Sequence, residues 1–160
     1  MNTKTITINN LTAINEAAWY RKSASTIEYL PVKTRWILKK NMNILGKIAT
    51  EFEEFKASME QELRDKYISD EFSYDAENGE RKVKEKYLDE YRHAVEDINK
   101  KLYEVVSDTE EVTLNTIDMD DLIDRLPDDA PLTDADFDML SLFDIETLQA
   151  IPKVEGEIVE

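Results

Sequence analysis

From Val32 to Ile68 the chain reads VKTRWILKKNMNILGKIATEFEEFKASMEQELRDKYI, a stretch with no proline and with Gly46 as its one weak helix former. Leu38, Leu45, Phe52 and Met59 recur at intervals of one heptad, with Met42, Ala49 and Leu63 between them and Lys56 as the polar exception. Apolar residues at alternating steps of three and four fall on one stripe of an α-helix. The stretch therefore reads as a single amphipathic helix of about 50 Å, at a rise of 1.5 Å per residue. Ile37, Ile44, Ile48 and Phe55 widen the stripe, so more than one element has to cover it. Glu60 with Arg64 and Glu62 with Lys66 stand at i,i+4 in the order that supports a helix.

Upstream, Pro31 forces Leu30 out of helical geometry and suits the first turn of a helix, so a new helix begins there. Thr3 to Ile8 alternates β-branched residues and predicts a short strand with Ile6 and Ile8 on one face. Asn10 or Thr12 then caps a first helix to about Ser25. Downstream, Asp75 to Gly79 supplies a turn, and a helix is expected from about Glu80 to Val105 with Tyr87, Tyr91, Ala94, Ile98, Leu102 and Val105 as its stripe. The tyrosines read as packing. Glu110 to Ile117 returns to alternation, and its natural mate is the first strand. Asp118 to Leu126, stopped by Pro127, and Thr133 to Phe143, opened by Thr133 and Asp136 as in a capping box, are short helices around a loop. Ile145 to Ile151 forms a last short piece ahead of Pro152.

The expected fold is α+β and predominantly helical. It combines a long antiparallel helical hairpin, an N-terminal helix packed across it, a two-stranded β patch and a C-terminal acidic helical cap. The expected organisation is one domain over residues 1–152, with a helical body at 10–105, an acidic cap at 106–152 and a frayed tail at 153–160.

Composition removes whole classes of chemistry. With no cysteine there is no thiolate zinc site, iron–sulfur cluster, disulfide or thiol nucleophile, and His93 alone cannot make a site that needs two imidazoles. Three glycines leave no phosphate-cradling loop. Apolar runs reach three residues or so and the N-terminus has no export signal, which points to a soluble cytoplasmic protein. A net charge of −16 argues against nucleic acid or anionic membrane as the main partner.

That charge is uneven. Residues 1–50 hold eight basic and two acidic side chains, whereas residues 106–160 hold Arg125 and Lys153 against seventeen acids. One use for such ends is mutual attraction within the fold; the surplus of acids still leaves a face for a partner. Asp118, Asp120, Asp121 and Asp124 could ligate a hard cation, but acids also favour a helix N-terminus, and no metal or cofactor is expected. Asp75 to Gly79 lacks the spacing of a calcium loop, and His93 has no identifiable partner for acid–base work. Arg21, Lys22, Lys33, Arg35, Lys39, Lys40 and Lys47 beside Trp19, Tyr20 and Trp36 are a minor candidate for single-strand contact. The leading feature is Thr133 to Ile145, where acids alternate with large apolar residues: Phe137, Leu140 and Phe143 dock on the hairpin, or the acids address a basic groove on another protein. The residues expected to meet a partner are Asp118, Asp120, Asp121, Asp124, Asp128, Asp129, Asp134, Asp136, Phe137, Asp138, Leu140, Phe143 and Asp144.

The order of Leu30-Pro-Val-Lys33 into a long charged helix, an Asn-Gly turn, a further helix, a Glu-Val-Thr-Leu strand and Asp-Met-Leu-Ser-Leu-Phe-Asp resembles small uncharacterised proteins of tailed bacteriophages and prophages, over roughly residues 18 to 148. The resemblance carries no activity and no functional residues. It implies a phage product working in the bacterial host cytoplasm or in particle assembly. The expectation is a non-enzymatic factor that inhibits a host or anti-phage defence protein by covering its basic surface, which can be one that holds nucleic acid. The factor itself binds neither nucleic acid nor membrane in this reading. The other reading is a virion or assembly component whose hairpin packs against copies of itself, a homo-oligomer.

Overall fold

A computed structural model describes residues 1–145. The expected Ile145 to Ile151 segment beyond Ile145 and the expected tail lie outside the described residues. The elements are β1 (Thr3–Asn9), α1 (Asn10–Lys22), α2 (Ala24–Ile27), α3 (Val32–Ile68), β2 (Ser73–Asp75), β3 (Arg81–Val83), a 3₁₀ turn (Glu85–Tyr87), α4 (Leu88–Ser107), β4 (Thr109–Asn115), α5 (Met119–Arg125) and α6 (Asp134–Ser141). The chain is α+β and predominantly helical, as the periodicities indicate. It divides into two compact units: residues 1–50 with 107–145, and residues 51–106. The C-terminal acidic stretch thus belongs to the same unit as the basic N-terminal third.

In the first unit β1 and β4 pair antiparallel, Thr3 opposite Asn115 and Asn9 opposite Thr109. Thr5 and Thr113 share a hydroxyl hydrogen bond of 2.8 Å across the pair. The cap of α1 is Asn9, one residue before the expected position: its Oδ1 accepts from the Thr12 backbone N–H at 2.9 Å. The core joins Ile8 of β1 and Ala13 of α1 to Ile37, Leu38, Met42 and Leu45 of α3. Val112 and Leu114 of β4, Leu122 of α5, and Leu140, Leu142 and Phe143 complete it. Asn41 of α3 is fully buried and takes both backbone groups of Asn115, accepting from its N–H at 2.8 Å and donating to its carbonyl at 2.9 Å. A side chain here completes the hydrogen bonding that a further strand would otherwise give the end of β4.

In the second unit the later half of α3 runs antiparallel to α4. Tyr67 meets Tyr91 edge-on at 5.1 Å and Lys66 meets Glu90 at 3.8 Å, while Met59 and Leu63 flank one groove with Ile98 and Lys101. The expected helix from Glu80 is corrected here. Residues Ser73–Asp75 and Arg81–Val83 form a second antiparallel hairpin, and α4 starts only at Leu88. Gly79 has φ +82°, the left-handed geometry that a tight turn between strands requires. Arg81 holds this hairpin to the end of α3: its Nε donates to the Ile68 carbonyl at 3.1 Å, and its guanidinium reaches Asp75 at 3.0 Å and also Asp70. Phe55, expected in the stripe, is exposed, and the last buried apolar residue of α4 is Val106 rather than Val105.

Candidate interaction surface

The acidic surface is built on α5, α6 and the loop joining them. Asp118 caps α5, its Oδ1 accepting from the Asp121 N–H at 3.1 Å. Acids in a first turn complement the dipole there, which explains why the chain tolerates Asp118, Asp120 and Asp121 so close together. Arg125, one turn on, donates to Asp121 at 3.1 Å. Asp118, Asp120, Asp121, Asp124, Asp128, Asp129, Asp134 and Asp138 are all exposed. Among the described residues Asp121 is the one of these eight in an ion pair. No three or more of the described carboxylates and His93 stand together in a way that could hold a metal ion.

Other expected contact residues lie inside. Leu140 and Phe143 are fully buried in the core of the first unit, and Phe137 packs half-buried against it. The first two belong to one apolar cluster with Ile37, Leu38, Met42 and Leu45 of α3 and Val112 and Leu114 of β4. Docking within the chain therefore accounts for Leu140 and Phe143, and Phe137 is partly covered by the same core. Asp144 is half-buried: its carbonyl accepts from Lys4 Nζ at 2.5 Å and its Oδ1 from the Met119 N–H at 3.4 Å. The Ile117 N–H donates to the Phe143 carbonyl at 2.7 Å, which lays this segment beside the end of β4.

Asp136 is buried as well. Its Oδ2 accepts from the Thr133 N–H at 2.9 Å while the Thr133 hydroxyl accepts from the Asp136 N–H at 3.2 Å, a reciprocal capping box. Its Oδ1 accepts from Trp19 Nε1 at 2.9 Å, tying α6 to α1. Burial pushes the carboxyl up, but the hydrogen bonds from Thr133 and Trp19 together outweigh it and hold Asp136 below the usual aspartate range. The capping signature is readable from spacing; the tryptophan partner is not, because nothing local links residues 19 and 136.

Between the basic N-terminal third and the acidic C-terminal stretch, Lys4 approaches Asp144. Arg21, Lys22, Lys33, Arg35, Lys39, Lys40 and Lys47 make no ion pair with an acid among the described residues. A cleft of about 360 Å³ lies between the start of α3 and α5, walled in part by Lys33, Thr34, Thr116, Asp118, Asp121 and Arg125. Its charged groups include the Asp121 and Arg125 pair, and His93 is not in its lining. His93 itself is exposed on α4, its Nδ1 2.7 Å from the Asp89 carbonyl.

Glu16 of α1 has no signature in the sequence. It is 4% exposed, its Oε2 has no hydrogen-bond partner, and burial pushes its carboxyl up to about 8. No periodicity singles it out, since polar and apolar residues interleave around α1 without a clear face.

Compared with known protein-family models, with curated proteins and with solved structures, the chain has no match. Among the described residues no helix is long and apolar enough to cross a membrane.

Proposed function

We propose that the chain is a non-enzymatic, phage-encoded protein-binding factor, acting in the host cytoplasm, whose acidic α5 to α6 surface covers a basic surface on a host or defence protein. One observation supports this reading most. Asp120, Asp124, Asp128, Asp129, Asp134 and Asp138 are exposed on one stretch and have no cationic partner among the described residues, although the same unit carries seven lysines and arginines outside any ion pair at Arg21 to Lys47. Like charges held close on a folded surface repel one another, and a cationic partner relieves that repulsion while steering encounter. Such a surface suits a protein groove that otherwise holds phosphates, because a duplex presents about one negative charge per 1.7 Å of its axis.

The test keeps Asp136 intact, since its role is structural. The full chain and a variant with Asp128, Asp129, Asp134 and Asp138 each changed to Asn are used to recover partners from infected cells at low and high salt. The expected result is a basic partner recovered by the parent chain at low salt and lost both in high salt and with the variant. Equal recovery by both chains at both salt concentrations would sink the reading.

A further inference from the structure

The first unit has a second charged surface that the proposed function does not use. Directly opposite the buried face of α3, the residues Val32, Trp36, Lys39, Lys40, Asn43 and Lys47 lie exposed at three- and four-residue steps. From Tyr29 to Thr50 there is no acid. Val32 is 73% exposed and Trp36 51%, and Lys40 Nζ stands 5.4 Å from the centre of the Trp36 ring. The stripe is thus an apolar centre within a cationic surround. The outer face of α5 is its converse: Ile123 is 53% exposed, with Asp120 and Asp124 exposed on either side of it.

We propose that the α3 stripe receives the acidic α5 face of a second copy of this chain. Opposite signs meet at the rims, and Ile123 covers part of Val32 and Trp36, removing their apolar surface from water. Each copy owns both halves of the contact, so assembly closes as a reciprocal pair or continues head to tail. A single-stranded nucleic acid would meet the same cations and indole. It would leave Val32 unused, whereas α5 presents an exposed apolar side chain, Ile123, between its carboxylates. This contact uses α5, whereas the variant that tests the host partner changes only the loop and α6, so the two can fail separately.

Sedimentation velocity on the full chain tests this, over a range of concentrations at low and high salt. The variants are Lys39→Glu with Lys40→Glu, and Asp120→Lys with Asp124→Lys; all four sites are exposed, and far-ultraviolet circular dichroism checks that each variant keeps its helices. The parent chain is expected to gain mass with concentration at low salt and to return to one chain at high salt. Each variant alone stays at one chain, whereas an equimolar mixture gains mass again, because the unchanged α5 of one variant meets the unchanged lysine stripe of the other and the two halves that changed sign also match. A parent chain that stays at one chain throughout at low salt overturns the proposal, as does an oligomer that neither variant disturbs. Binding of labelled oligothymidylate by the parent chain, abolished by the lysine changes, would instead give the stripe to nucleic acid and equally overturn it.

Discussion

The second unit pairs its charges and the first does not. Seven ion pairs lie within residues 51–106, among them Lys56 with Glu60, Lys101 with Asp97, and Arg81 with Asp70 and Asp75. In the first unit only Arg125 with Asp121 is found among the described residues. Both units contain many charged residues of each sign, so composition does not explain the difference; arrangement does. In the second unit four of the seven pairs join acids and bases at three- or four-residue spacing on one helix, where neighbours face each other, and three join α3 to α4 or Arg81 of β3 to nearby acids. In the first they are sorted by segment, the bases on α1 and α3 and the acids on α5 and α6. Sorted charge remains open to other molecules, whereas interleaved charge is consumed locally.

If so, the first unit should owe its stability to buried polar contacts rather than to ion pairs. The largest expected effect is at Asn41: Asn41→Leu leaves the Asn115 N–H and carbonyl without their partners and should cost about 3 kcal/mol, read as a lower urea midpoint. Glu16 comes next. Its carboxyl is raised in the folded state, so its contribution is intact below the unfolded value of 4.5 and is lost as pH climbs towards about 8. Glu16→Gln should therefore raise stability at pH 7 by roughly 2 kcal/mol and flatten the decline between pH 4.5 and 8, as followed by thermal melts across that range. A parent chain with no such decline would mean that Glu16 is not buried as described.

Asp136→Ala removes the capping box and the Trp19 bond together, with an expected loss of about 1 to 2 kcal/mol at neutral pH. Because this carboxyl is held low in the fold, its contribution is full above the unfolded value of 3.8 and disappears as pH falls through the folded one. The parent and the variant should accordingly converge in stability in strong acid. The smallest effects sharpen the contrast most directly. Asp97→Asn breaks a 3.0 Å pair with Lys101 and should cost about 0.3 kcal/mol, whereas Lys40→Gln in the first unit, which breaks no ion pair, should leave the melting temperature unchanged. A clear loss for Lys40→Gln would show that the first unit does rely on its cations.

Much of the frame is legible from local pattern. The bounds of α3 follow from Pro31 and an unbroken stripe; the pairing of β1 with β4 follows from two alternating stretches of similar length; the α6 cap follows from Thr133 and Asp136. The hairpin of β2 and β3 does not. Its strands have three residues each, too short for alternation to register, and Glu80 to Val83 is as charged as a solvated helix. The turn at Asn78 and Gly79 is plain in the sequence, but a positive φ serves two strands as well as it serves two helices. At the acidic surface the exposed aspartates of α5 are visible from their spacing. That Asp136, Leu140 and Phe143 point inward is one of two readings that the sequence leaves open, and contacts between distant segments decide it. Asn41 and Glu16 give no signal at all, because a polar residue in a helix looks solvated until the fold shows what lies over it.

The pairing of Asn9 with Thr109 has a further consequence, in time rather than in space. Residues 51–106 are contiguous and local in their contacts, so this unit can form as soon as it leaves the ribosome. The unit that begins first finishes last. Its N-terminal strand waits for a mate about a hundred residues downstream, and prior folding of the intervening segment shortens the effective loop that must close. During synthesis the unmated edge of β1 and the apolar face of the first half of α3 are exposed together, and that interval is when this chain is most open to misassembly.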